Sequence, residues 1–403
     1  MVEISKNSEQ NIAVFVLWQS LVVKAYRSFF TCLTRNANWR VACASPQRFR
    51  ELGLQEIESE PFDKPFAEGD SKFPYFLLKS WNLHVQIVLF CGLGRALRKF
   101  FTKKKGEKRV FLCIADPYSL TAFFAWLTAR IWVCGDLKFV LFASQNIFKK
   151  LPLPLKCIQN FLFKRCDAIL SIGPEQDEVI RKHGYKGKIF DFPLWFDSNL
   201  FEFLTVRRNL NSGIWVTSYG QKLGYAGSLS WEKGIPDLLA CLKSGAIQGE
   251  YCVAIAGSGP LKDEVKSKCT QLKSKGLHIE FLGPLSSTQM REFYQNIDIL
   301  IVPSRTVPHW KEQFGRVIVE AQACGVLVIG SDSGAIPNVI GNKEFVFKEG
   351  DIQDMSRVLN SALSKIKNST DSALRSQFAK EAFQRFSDEV LAQRLTHNLL
   401  SKL

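Results

Sequence analysis

The sequence predicts an α/β protein with two doubly wound parallel sheets, and three observations carry that prediction. Short apolar runs recur along the whole chain, helical stretches separate them, and 403 residues, 46% of them hydrophobic, suffice for two cores.

Ile12 to Leu17 reads as the first strand, because six consecutive apolar residues suit a strand buried on both faces. Arg40 to Cys43, Arg109 to Ala115, Lys138 to Ala143, Ala168 to Ile172 and Lys188 to Phe190 continue the series, with room for helices between them. A polar, weakly patterned stretch over residues 205–222 reads as a linker between a first domain, 1–204, and a second, 223–386. There, Leu223 to Ala226 runs into the turn Gly227-Ser228-Leu229, and Lys233 stands at the mouth of the next helix. Tyr251 to Ala256 ends in Gly257-Ser258-Gly259-Pro260; no third glycine follows at dinucleotide spacing, so this turn is structural. Ile279 to Gly283 is another strand, and Ser286 with Gln289 is a capping-box signature for the helix after it.

Composition excludes several classes. Eleven cysteines without C-x-x-C or metal spacing point to reduced thiols, and the five histidines are isolated from one another, none near the turn at residue 145. No two aspartates lie two apart, so no DxD-type metal site and no cofactor are expected. The most hydrophobic stretch, Leu120 to Cys134, is short for a membrane span and holds Arg130, while Glu3 and Glu9 sit where a signal peptide would be basic. A cytoplasmic location follows. Of the 15 net positive charges 11 fall in residues 1–200, densest from Arg95 to Arg109 around Phe100 and Phe101, and from Lys149 to Arg165 among Leu151, Leu153, Leu155, Phe161 and Phe163. Such interleaving suits an anionic membrane surface at the inner face; no nucleic-acid module is present, and no nucleic-acid partner is expected.

The richest segment runs from Leu300 to Gly341. Ile299 to Val302 is a buried strand closed by Pro303-Ser304, and Val326 to Ile329 is the next one. Between them Val317, Ile318, Ala321 and Cys324 recur on one helical face, starting near Gly315 and stopping at Gly325. The first-turn N–H groups of that helix carry the positive end of its dipole, which suits a diphosphate. Glu312 precedes the helix and Glu320 lies nearly two turns in, so the two carboxylates can accept from hydroxyls of two different sugars.

Through P-S, E-x-F-G, E-A and S-x-x-G-x-I-P this segment resembles the E-x7-E region of family 4 (group 1) retaining glycosyltransferases of the GT-B fold. The resemblance implies two Rossmann-like domains facing a cleft: an N-terminal acceptor domain, and a C-terminal domain that binds a nucleotide-sugar donor. Residues 387–403 would cross back onto the first domain. It further implies a metal-independent, retaining transfer of a hexose from a nucleotide diphosphate, UDP before GDP, to a hydroxyl of a lipid-linked or polysaccharide acceptor. Glu312 would orient the transferred sugar, Lys233 would stabilise the leaving diphosphate, and Phe314, Gly315 and Arg316 would form the helix start that meets it. Glu320 would hold the ribose, and main-chain groups of Gly283, Pro284 and Leu285 the base. Ser228 stands where the family has an arginine, a loss of one guanidinium clamp. Gln145 and Asn146 resemble a turn that faces the cleft, and Trp195-Phe196 replace a glycine before Asp197. Two other readings remain open at this stage: a GT-B sugar-nucleotide epimerase, and a non-catalytic degenerate transferase that binds membrane or nucleic acid through its basic domain.

Overall fold

A computed structural model describes residues 11–22, 26–35, 39–46, 48–49, 57–58, 75–84, 87–102, 106–204, 219–368 and 371–397. The chain divides into two units, Met1–Pro193 with Leu391–Leu403, and Leu194–Val390.

In the first unit β1 (Ile12–Leu17) lies inside a parallel sheet. β2 (Trp39–Pro46) and β3 (Tyr75–Leu78) extend it on one side. β4 (Lys108–Cys113), β5 (Lys138–Ala143), β6 (Ala168–Ser171) and β7 (Lys188–Asp191) extend it on the other. The spatial order is therefore β7-β6-β5-β4-β1-β2-β3. All six side chains of β1 are buried, as a central strand covered on both faces requires. Phe15 is the hub of that core: its ring lies 5.7 Å from Phe76, 5.7 Å from Phe100, 6.2 Å from Phe101 and 5.8 Å from Phe111. The basic cluster around Arg95 thus turns its two phenylalanines inward, which corrects the expectation that they interleave with its charges at the surface. Lys103 to Lys105 lie outside the described residues.

Three helices follow β4, β5 and β6. The N-cap of α1 (Leu120–Trp132) is Ser119, whose Oγ accepts from Ala122 N at 3.1 Å. α2 (Leu153–Phe163) starts from Pro152 with Pro154 in its first turn, where a missing N–H costs nothing. α3 (Pro174–Lys182) carries Glu175 and Asp177 in its first turn and Arg181 and Lys182 in its last, the distribution its dipole favours.

The second unit holds a six-stranded parallel sheet of order β10-β9-β8-β11-β12-β13. In chain order the strands are β8 (Gln221–Ala226), β9 (Tyr251–Ala256), β10 (His278–Gly283), β11 (Ile299–Val302), β12 (Leu327–Ser331) and β13 (Val346–Phe347). Gln221 and Lys222 are therefore strand residues, which shortens the expected 205–222 linker at its end; residues 205–218 lie outside the described residues. α4 (Ile235–Ser244) follows β8, and α5 (Lys262–Ser274) follows β9. α6 (Ser287–Asn296) follows β10 and begins in the expected capping box, with Gln289 N donating to Ser286 Oγ and Ser286 N donating to Gln289 Oε1. α7 (Arg316–Ala323) follows β11.

Chain order reverses between β8 and β11, so successive crossovers run in opposite directions from that pair of strands. In open α/β sheets a crevice forms at this switch point, outside the carboxyl ends of the strands. The turns that end β8 and β11 carry Ser228, Lys233 and Glu312.

Candidate active site

The two turns are stapled to each other through backbone and charge. Arg305 N donates to Glu232 O at 2.8 Å, and the Arg305 guanidinium forms a two-pronged ion pair with Asp237 in the first turn of α4. Gly234, with φ of +67°, lies so close to Pro303 that a Cβ would sit 1.7 Å from its carbonyl oxygen. Only glycine lets these chains approach so closely. The result places Lys233 over the loop that follows β11.

Lys233 Nζ donates to Glu312 Oε2 at 2.7 Å, and the same oxygen accepts from Ser304 Oγ at 3.1 Å. The Trp310 ring lies under the ammonium, 4.6 Å from Nζ to the ring centroid. Trp310 is held there by a tight hairpin in which it and Val307 exchange backbone hydrogen bonds of 2.8 and 3.1 Å. An ammonium has three N–H donors; one goes to Glu312, and the Lys233 side chain keeps 28% of its surface open. Glu312 is 7% exposed and its main chain is fixed too, since its carbonyl accepts from Ala335 N at 3.0 Å. Gly334, with φ of +53°, makes that contact possible: a Cβ there would meet Glu312 O at 2.1 Å.

The turn after β8 is braced from the other side. Tyr225 Oη donates to Ser228 O at 2.7 Å, and burial, then Glu312 and Glu232, push its pKa up, so the phenol stays a donor. Leu229 N donates to Ser258 O at 3.0 Å and Leu261 N to Leu229 O at 2.9 Å. The Gly257-Ser258-Gly259 turn is thus a support for residues 227–229. Gly283 O in turn accepts from Gly257 N at 2.8 Å, which commits that carbonyl to the frame of the unit. Pro284 is exposed and Leu285 half-buried at the same strand end.

Gly315 is the N-cap residue of α7. Phe314 is 3% exposed and sets its ring edge-on to Phe386 at 5.5 Å, leaving its main chain as the part that can meet a ligand. Glu320 Oε2 accepts from Tyr294 Oη at 3.1 Å, and Glu320 Oε1 lies 3.6 Å from the Arg316 guanidinium. Burial raises the Glu320 pKa, while Arg316 and then Tyr294 pull it down. Lys233 and Glu312 therefore form one group, and Arg316, Glu320 and Tyr294 a second. Sequence reasoning missed Ser304 as a carboxylate partner, Trp310 and Tyr294; only the Pro303-Ser304 strand end gave any signal.

Trp195 and Phe196 are buried within the second unit, where Phe196 packs on Phe383 at 5.1 Å and exchanges backbone hydrogen bonds with Phe386 and Asp388. In the first unit Asn146 Nδ2 donates to Glu175 Oε2 at 3.1 Å, while Gln145 lines a small pocket with His183. This corrects the expectation that no histidine lies near Gln145: His183 comes in from the residue after α3.

Residues 219–385 match the family model of glycosyl transferases group 1. This part of the chain is a group 1 glycosyltransferase domain. An uncharacterized glycosyltransferase of Methanocaldococcus jannaschii is 29% identical over 150 residues, 37% of this chain and 36% of that protein. Sulfoquinovosyl transferase SQD2 of Arabidopsis thaliana is 27% identical over 147 residues, 35% of this chain and 25% of that protein. The matched stretches thus span about a third or less of these relatives' lengths. Anabaena HepE, solved in complex with UDP, superposes with a TM-score of 0.67 at 16% identity, over 97% of this chain and 100% of HepE. Sucrose-phosphate synthase from Thermosynechococcus elongatus superposes with a TM-score of 0.65 at 16% identity, over 97% of this chain and 100% of that one. The fold is GT-B. The glycosyltransferase domain contains every candidate residue named above except Gln145 and Asn146. No helix among the described residues is long and apolar enough to cross a membrane.

Proposed function

We propose that this chain transfers a sugar from a nucleotide diphosphate, UDP before GDP, to an acceptor hydroxyl on a lipid-linked or polysaccharide substrate, with retention of anomeric configuration. The observation that carries the proposal is the Lys233–Glu312 pair at the switch point, beside the N-terminus of α7. The leaving diphosphate gains negative charge as the glycosidic bond breaks, and fixed positive groups aimed at it lower the barrier. Lys233 supplies N–H donors for the phosphate oxygens, and Arg316 with the first turn of α7 supplies a second positive region. Glu312 accepts from a hydroxyl of the transferred sugar and orients it, and Glu320 accepts from the ribose. Positive charge from these groups stands in for a metal ion, so activity is expected to persist in EDTA.

UDP is preferred because HepE is solved with UDP, and separately with UDP-glucose. An anionic membrane is the proposed site of work, because Leu153 at 75% exposure and Phe148 at 45% stand among the exposed Lys149, Lys150 and Lys156. Thermal shift against UDP, GDP and ADP tests the donor site. Stabilisation by one of them that survives added salt and weakens in Glu320→Ala supports the reading, and no stabilisation by any of them removes it. Proton NMR of the first-formed product then reads the anomeric configuration.

A further inference from the structure

The loop that follows β11 is fastened on two sides before it reaches Glu312. On one side Arg305 ties it to the turn after β8 through Glu232 O and to α4 through Asp237. On the other side Thr306 N donates to Glu349 Oε2 at 2.7 Å, and Thr306 Oγ1 shares a hydrogen bond of 3.0 Å with Ser333 Oγ in the turn after β12. Glu349 is itself held, since its N–H donates to Asp332 Oδ1 at 2.8 Å. The Val307–Trp310 hairpin stands on that base, with Pro308 and His309 exposed at its tip and the half-buried Trp310 ring against the Lys233 ammonium. The indole therefore meets Lys233 from a fixed platform.

A lysine side chain is among those that lose the most rotamer freedom when their ends are fixed. With 28% of the Lys233 side chain open, solvent screens part of its ion pair with Glu312. Glu312 is also a poor sole anchor, because on the reading above its carboxylate has a sugar hydroxyl to receive once the donor is bound. The Trp310 ring supplies a second point of attachment, 4.6 Å from Nζ to its centroid. It attracts the ammonium through the negative face of its π system, so N–H groups directed away from the ring stay available to phosphate oxygens. It also carries no net charge. A second carboxylate in its place would hold the lysine but repel a diphosphate, and an aliphatic side chain would offer the ammonium no attractive face.

We propose that Trp310 is a positioning residue, whose ring holds the Lys233 ammonium where the donor diphosphate arrives. What Lys233 meets there rests on the nucleotide-sugar reading above; the hold of Trp310 on Lys233 does not. Binding titrations of the full chain with UDP and with uridine, which has no phosphate, test the proposal. Trp310→Leu should weaken UDP binding by about two- to thirtyfold, the span of a cation–π contact, and leave uridine binding unchanged. Trp310→Phe keeps a ring face and should recover most of the loss. In a Lys233→Met background Trp310→Leu should have no further effect on UDP, because the indole acts through the ammonium. Equal weakening of UDP and uridine, or the same loss with and without Lys233, would make Trp310 an ordinary packing residue and overturn the proposal. Absence of UDP binding in the wild type would instead remove the UDP reading of the site. Urea unfolding of the wild type, the two single variants and the double variant decides the contact in either case. Trp310→Leu should lower the folding equilibrium constant by at least about twofold more when Lys233 is present than in the Lys233→Met background. Equal losses in the two backgrounds would show that the ring does not hold the ammonium.

Discussion

The two units present opposite chemistry at the carboxyl ends of their sheets. In the second, the turns after β8 and β11 are pulled together by ion pairs and by backbone contacts that tolerate no side chain at Gly234 or Gly334. In the first, the turn residues Asp116 and Ser144 after β4 and β5 bond to each other beside a small, mostly apolar space. One end fixes charged groups in place, and the other leaves a small, mostly apolar hollow. The same strand-and-helix architecture thus carries both kinds of end, and the difference lies in turn residues rather than in the sheets.

Glycine substitutions break the comparison most forcefully. Gly234→Ala forces a Cβ against Pro303 O and keeps a positive φ, so the second unit should lose about 3–4 kcal/mol. Gly184→Ala, in the first unit, has φ of +96° but nothing within 4 Å of its Cβ, so only the left-handed cost of about 1 kcal/mol remains. Urea denaturation of both variants reads the contrast, and equal losses would mean that the close approach of the two turns is not a structural constraint. Chemistry comes next. Lys233→Met removes the ammonium between Trp310 and Glu312 and should lower turnover by about 10²- to 10³-fold. An unchanged rate in a sugar-transfer assay would take Lys233 out of the mechanism.

How much of this was legible in the sequence differs between the two ends. The β9 and β11 strands are nearly uniform apolar runs closed by glycine or proline, β12 is apolar up to Gly330-Ser331 and β8 only after its polar Gln221-Lys222 start, and such runs show without any knowledge of tertiary contacts. Lys233 and Glu312 could be singled out one at a time, but their pairing depends on β8 lying beside β11, which no local pattern encodes. Tyr294 is a core-facing residue of α6 whose hydroxyl reaches a helix 26 residues on, so its sequence neighbourhood carries no trace of Glu320. The first unit is harder to read. β3, residues Tyr75–Leu78, merges with aromatic neighbours and escaped the strand series, and Gln159 and His183 converge from separate helices. Phe100 and Phe101 misled because a basic segment with aromatics reads alike whether its rings face solvent or core.

The buried acid of the second unit provides a smaller and pH-dependent effect. Tyr294→Phe deletes the hydroxyl that donates to Glu320 and should cost about 2 kcal/mol, the range for a hydrogen bond to a charged acceptor. Because burial raises the Glu320 pKa, the folded chain holds a proton there at a pH where the unfolded chain has lost it. Stability from this group is therefore present at acid pH and lost as pH climbs from the ordinary carboxylate value through the raised one. Glu320→Gln removes the titration, so the wild-type Tm should fall relative to the variant's as pH rises across that window. Tyr294→Phe removes a group that pulls the pKa down and should move the loss to higher pH. Parallel Tm curves for wild type and Glu320→Gln would show that Glu320 does not carry this dependence.

Helix caps give the finest comparison of the two units. Ser119 caps α1 from a position 1% exposed, and its loss leaves Ala122 N without water to replace it. Ser286 caps α6 at an exposed turn, where water can take over the bond to Gln289 N once the hydroxyl is gone. Ser119→Ala should therefore cost about 2 kcal/mol and Ser286→Ala about 0.5 kcal/mol, the two ends of the range for cap deletions. Each change removes one oxygen and neither adds volume, so the ratio of the two losses in urea melts isolates the effect of burial on one kind of hydrogen bond. A ratio near one would mean that solvent reaches the start of α1 as freely as it reaches the start of α6, and the dry interior assigned to that end of the first sheet would be wrong.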